Sequence, residues 1–167
     1  MNLAAIRKGD LVLLDANIII YAITNSSAQC RTLLTRCATG DVQGIIGGQQ
    51  LAEVVHRLML AEARENGWIT GGNPARQLAG QPERIRRLSR YEDAVKGLIA
   101  TGVRVEPVQR EDFFQAMSIQ RQAGLMTNDA LMAAVADRLR VEAIASADKT
   151  LTNVRGLVIY QPDDLNL

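Results

Sequence analysis

Aromatic residues are scarce in this 167-residue chain: 4% in all, with one tryptophan, Trp68, and two phenylalanines. That scarcity argues against a function built on stacking bases over an aromatic platform. There is one histidine, His56, so catalysis by a pair of histidines is excluded. The two cysteines, Cys30 and Cys37, fall in QCRTLLTRCATG, which reads as a helix. That spacing is roughly 10 Å along the axis, too far for a disulfide. No CxxC and no cysteine–histidine cluster with zinc spacing occurs. The net charge is +1, so any case for nucleic acid or membrane must be local. The longest apolar run, LVLLDANIIIYA, is cut by Asp15 and Asn17 and is too short to span a bilayer. MNLAAIRKGD has no long apolar region and no convincing signal-peptidase site. The expectation is a soluble cytoplasmic protein with reduced thiols and no membrane association.

What is present is ordinary globular composition: 47% hydrophobic and 22% charged residues, enough chain for one domain spanning residues 1–167 with a proper core. Leu11 to Leu14 is continuously apolar, as in a strand buried on both faces of a parallel sheet. A helix is predicted over Ser27–Ala38, a short strand at Gly44–Gly47, and a helix through QQLAEVVHRLMLAEAREN with Leu51, Val54, Val55 and Leu58 inward. GWITGGNPARQLAGQP reads as a loop or lid. A further helix is expected over Glu83–Ala100, with Ile85, Leu88, Val95, Leu98 and Ile99 inward, then a strand at 103–108 and a helix over Arg110–Gln122. TNDALMAAVADRLR is predicted as a helix capped by Thr127 or Asn128. VEAIASAD and GLVIYQPDD supply the last strands. Strands alternating with helices give an α/β class, with a central, mostly parallel sheet flanked by helices.

Two predicted strands, LVLLD and VEAIASAD, run into an aspartate. In open parallel sheets the functional crevice lies beyond the carboxyl ends of the strands, so Asp15 and Asp148 should share one cleft if their strands are neighbours. Asp129, in the first turn of a helix, is placed less firmly, because acids there are common stabilisers. Glu53 lies off the apolar stripe of its helix, beside Gln49, Gln50 and Arg57, where a solvated face is the plain reading. Asp15 has few such explanations, because a carboxylate inside an apolar run must be paired, neutralised or held at an opening.

LLDANIIIYA, LAEVVHRL and LMTNDALMAAVADRLRVEAIASADKTL, in that order, resemble the PIN-domain ribonucleases, and more narrowly the VapC-type toxins of toxin–antitoxin pairs. Asp15 with Asn17 matches the opening motif, Glu53 the helical glutamate, Asp129 the acid opening an alanine-rich helix, and Asp148 the acid after a small-hydroxyl-small string in which Ser146 is the hydroxyl. The resemblance covers the chain apart from a short N-terminal extension and the Gly67–Arg90 region. It implies a PIN-like domain that hydrolyses RNA phosphodiesters with Mg²⁺ or Mn²⁺ held mainly by Asp15, Asp129 and Asp148. Glu53 would be a further ligand or act through water, and Asn17 and Ser146 would orient waters or phosphate oxygens. It also implies a separate antitoxin partner and a homodimer. Oxygen donors suit such hard cations on chemical grounds alone.

The segment ARQLAGQPERIRRLSR is basic: Arg76, Arg84, Arg86, Arg87 and Arg90 are opposed only by Glu83. They could grip RNA phosphates, or simply form a solvated helix face. Trp68 could anchor a partner or pack beneath its loop, and the Gly67–Arg90 elaboration could be a lid, a dimer contact or an antitoxin surface. Met117, Met126 and Met132 are expected in the core, and His56 partly buried or exposed. Two alternatives remain. One is a PIN-fold module that binds RNA or protein without cutting. The other is a haloacid-dehalogenase-like phosphatase, disfavoured because Asn17 stands where that family needs a second, proton-donating aspartate.

Overall fold

The computed structural model describes residues 1–165; positions 166 and 167 of the expected single domain lie outside the described residues. Strands β1 (Leu11–Leu14), β2 (Gln43–Gly47), β3 (Arg104–Glu106), β4 (Ala143–Ala145) and β5 (Val158–Tyr160) form one sheet in the order β3-β2-β1-β4-β5. Every pairing is parallel. The helices are α1 (Ala16–Ile23), α2 (Ala28–Ala38), α3 (Gly48–Glu65), α4 (Pro74–Ala79), α5 (Pro82–Ile85), α6 (Arg90–Ala100), α7 (Arg110–Ala123) and α8 (Thr127–Leu139).

Strand alternation divides the core between two faces. Val12, Leu14, Ile46 and Ala145 pack with α1, α2, α3 and α6 on one face. Leu13, Ile45, Ile144 and Ile159 pack with α7 and α8 on the other. A parallel sheet covered by helices on both faces is the expected α/β/α arrangement. A small satellite core of Ala63, Ile69, Leu78 and Leu88 lies under the 67–90 segment, with Trp68 packed against it.

Several expectations about elements are corrected. ANIIIYAI, given no helix by its sequence, is α1: its β-branched residues suit a strand. Burial decides otherwise, because Ile18 and Ile19 are completely enclosed between the sheet and neighbouring helices. The 67–82 stretch is not all loop. Asn73 caps α4, its Oδ1 accepting from Arg76 N at 3.0 Å, and Pro74 occupies the first turn, where its missing N–H costs nothing. The single helix expected over 83–100 is broken into α5 and α6. The Glu62 carboxylate takes the N–H groups of Ser89 and Tyr91 at 3.0 and 3.1 Å, so α6 starts there afresh. Ile99 faces out. Met126, not Thr127 or Asn128, is the N-cap of α8: its backbone is extended at φ −76° and ψ 165°, Thr127 is already helical, and the Thr127 hydroxyl accepts from Gln120 in α7. Of the three methionines expected inside, only Met132 is buried; Met117 and Met126 are exposed. Cys30 and Cys37 are free and buried, and burial pushes the Cys37 thiol up to about 11.

Candidate active site

β1 is the point where the chain reverses its direction of sheet growth: β2 and β3 lie to one side, β4 and β5 to the other. Such a switch point opens a crevice at the carboxyl edge of the sheet. β1 and β4 are direct neighbours, with Leu14 level with Ala145, so Asp15 and the Ser146–Asp148 turn emerge side by side. Asp15 is 8% exposed. Its Oδ2 accepts from the Ser146 hydroxyl and the Asn17 amide, both at 2.6 Å. Asn17 Oδ1 in turn accepts from Ala147 N at 3.0 Å, and Ser146 Oγ accepts from Asp148 N at 2.9 Å. Asn17 and Ser146 therefore clamp Asp15 to the β4 turn. Asp148 Oδ1 holds Thr150 through its N–H and its hydroxyl, each at 2.8 Å.

Asp129 joins this group. Burial first, then the charges of Asp148, Asp15 and Glu53, push its carboxyl up to about 6. Burial likewise raises Asp15, opposed by its hydrogen bonds with Ser146 and Ala16 and reinforced by Glu53 and Asp148. Asp15, Glu53 and Asp148 thus all act electrostatically on Asp129. Glu53 is half-exposed, 3.6 Å from the Arg57 guanidinium. Helices α1, α3 and α8 all begin here, and none has a side-chain cap at its N-cap residue. Their free N–H groups and dipoles favour an anion at the mouth of the crevice.

The donor set fits a hard divalent cation. Asp129 accepts no hydrogen bond among the described residues, and its raised pKa is the response of a half-buried acid among acids without a counter-charge. Among the described residues no three His, Cys, Asp or Glu side chains are arranged to hold an ion by themselves. The fit is therefore to an ion that takes one or two carboxylates and completes its shell with water, as Mg²⁺ does.

The arginines lie elsewhere. Arg84 and Arg87 sit over the Trp68 ring at 5.7 and 5.2 Å. Arg86 pairs with Glu83, and Arg90 pairs with Glu65 at 2.7 Å; Arg76 is exposed. This cluster packs near Ala63, about 15 Å along α3 from Glu53. His56 is exposed. A cavity of about 720 Å³, bounded by Ile119, Ala136, Arg140 and Arg155, is lined by none of Asp15, Glu53, Asp129 and Asp148. An extended polymer can lie in an open crevice, so the acids are the better guide to chemistry than the cavity. Sequence reasoning noticed Gln49 and Gln50 only as polar neighbours of Glu53, yet Gln50 is buried with Nε2 3.5 Å from Asn128 O. Two glutamines directly after two glycines at a strand end were the available signal.

A family model described as the PIN domain matches residues 12–157. No curated protein matches the chain by sequence. Among solved structures, VapBC2 from Rickettsia felis bound to a DNA fragment from its promoter is similar at TM-score 0.57 and 16% identity, over 92% of this chain and 99% of that one. A toxin–antitoxin complex from Klebsiella pneumoniae is similar at TM-score 0.53 and 16% identity, over 88% and 95%. PAE2754 from Pyrobaculum aerophilum is similar at TM-score 0.54 and 15% identity, over 95% and 90%. At these identities the likeness to the solved structures is one of fold.

Proposed function

Since the chain belongs to the PIN-domain family, we propose that it is a divalent-metal-dependent endoribonuclease, folded as one domain and acting in the cytoplasm as the toxin of a toxin–antitoxin pair. The observation that carries this reading is the gathering of Asp15, Glu53, Asp129 and Asp148 at the sheet's switch point, with the charges of three of them raising the fourth. Asp15, Asp129 and Asp148 would hold Mg²⁺ or Mn²⁺, one or two of them directly and the rest, with Glu53, through the ion's water shell. When bound, such an ion activates a water and neutralises charge on the phosphate. In the hydrolysis, a water oxygen bonds to phosphorus, one P–O bond to a ribose breaks, and the leaving oxygen takes a proton. Asn17 and Ser146 hold the Asp15 carboxylate in one orientation. The uncapped starts of α1, α3 and α8 favour the phosphate's negative charge.

Exposed Arg84 and Arg87, with Arg76, Arg86 and Arg90 around them, offer phosphate contacts for RNA extending beyond the acids. Two of the similar structures are toxin–antitoxin complexes, which supports a separate antitoxin partner. A homodimer is supported by α7, which leaves Phe113, Phe114 and Met117 exposed on one face.

The test is cleavage of single-stranded RNA by the purified protein with Mg²⁺ or Mn²⁺, abolished by EDTA and by Asp15→Asn. Binding of RNA without cleavage, across a broad panel and both metals, would instead support the silent-module reading.

A further inference from the structure

The head of α3 holds side chains that the acid site does not use. Gly47, the N-cap, has φ −70° and ψ 149°, a conformation open to any residue. Its space is not open. A Cβ there would collide with Gln50 Oε1 and lie 2.9 Å from Gln49 Oε1 and 3.2 Å from Gln49 Nε2. Both amides are folded over the glycine. Gln49 Nε2, Gln49 Oε1 and Gln50 Oε1 are shielded from solvent and have no hydrogen-bond partner among the described residues; Gln50 as a whole is 3% exposed. Unpaired buried amide atoms disfavour folding, so three in one place point to a use beyond the fold.

Their position indicates that use. Gln50 Nε2 faces Asn128 O, directly before Asp129, and Glu53 follows one turn later in α3. Because a carbonyl can only accept, Asn128 fixes Gln50 with its nitrogen inward and leaves its oxygen over Gly47. What remains is one donor and two acceptors.

We propose that Gln49 and Gln50 form a base-reading subsite for the RNA strand lying across the four acids, and that guanine is the base they complement. The inference rests on the ribonuclease reading above. Along its pairing edge guanine offers two donor groups, N1–H and the N2 amino group, and one acceptor, O6. Adenine, cytosine and uracil each offer a single donor group on that edge, which leaves a glutamine oxygen unpaired. A site with buried polar groups rejects a ligand that cannot pair them, and unstacked RNA bases are read on this edge. Gln49 is half-exposed, so rotation about its own side-chain torsions presents its amide to the strand.

Two measurements test this. First, the wild type, Gln49→Ala, Gln49→Met and Gln50→Leu are assayed with metal on RNA oligonucleotides differing by one base at each position around the cut. The wild type should favour guanine at one position by about tenfold in kcat/KM, and the guanine to non-guanine ratio should fall toward one in the variants. Second, fluorescence anisotropy in EDTA should show tighter wild-type binding of the guanine oligonucleotide, and equal binding of both by the variants. If the wild type cuts RNA without base preference, or the variants keep its preference, the subsite is refuted while the nuclease stands. If it cuts nothing, the nuclease reading fails and anisotropy decides, with equal affinity for guanine and non-guanine strands refuting the subsite. Gln49→Met preserves side-chain length, and an unchanged melting curve separates lost preference from lost fold.

Discussion

Asn17 spends both ends of its amide on the fold: Nδ2 on Asp15 and Oδ1 on Ala147 N. Asn17 and Ser146, expected from the sequence to orient water or phosphate oxygens, also hold Asp15 and the turn that carries Asp148. On the nuclease reading Asn17 is a positioning residue. Asn17→Ala should lower kcat/KM for RNA by about 10- to 100-fold, as removal of groups that orient metal ligands does. It should also lower stability by about 1–3 kcal/mol, because Ala147 N is left without its acceptor. The measurements are cleavage against metal concentration and thermal unfolding. Wild-type cleavage at every metal concentration would show that Asp15 does not need this clamp.

At the scale of elements, Glu62 decides how the 83–100 segment is divided. Its side chain is 6% exposed. Burial alone would raise its pKa, but the backbone N–H groups of Ser89, Tyr91 and Arg90, with the Arg90 charge, hold it below the ordinary 4.5. The unfolded chain therefore binds this proton at higher pH than the folded one. The stabilisation is fully present above 4.5 and is lost as pH falls through the lower folded value. Glu62→Gln should destabilise by about 1.5–3 kcal/mol near neutrality, the range for hydrogen bonds to a charged group. Since glutamine does not titrate, the gap between the two melting curves should close on acidification; a gap that stays constant into strong acid would show that the charge contributes nothing. Helix endings were more legible. Gly124, at φ 70°, stops α7 at the sequence-expected place because only a residue free of Cβ strain adopts that conformation readily.

For the molecule as a whole, the question is what covers α7. Both phenylalanines of the chain lie on its outer face, 51% and 56% exposed, with Met117 one turn on. The inner face of the same helix is fixed to α8: Arg138 donates to Asp112 at 2.8 Å and, through a second nitrogen, to Glu106 at 2.8 Å. If two copies meet through the outer face, sedimentation equilibrium should show a dimer for the wild type and a monomer for Phe114→Glu. The melting temperature at low concentration should change little, since the ring is 56% exposed and the Arg110 guanidinium 5.6 Å over it can pair with the new carboxylate one turn on. A wild type that remains monomeric at high concentration would remove the homodimer from the reading. Among the described residues no helix is long and apolar enough to cross a membrane.

By itself the sequence determined the alternation of strand and helix, the apolar strands β1 and β4, and the two acids that end them. These follow from local patterns: an unbroken apolar run for a doubly covered strand, the 3.6-residue stripe for a helix, a carboxylate too costly to bury at random. Only the tertiary structure decided that β1 and β4 are neighbours, which brings Asp15 beside Asp148 across more than a hundred residues of chain. It alone brought Asp129 and Glu53 within electrostatic reach, turned ANIIIYAI into a helix, set Phe113 and Phe114 outward and folded two glutamines over Gly47. The physical reason is one of range. Periodicity reports which face of an element is apolar, whereas adjacency between elements is fixed by sheet order and by which surfaces can be buried together.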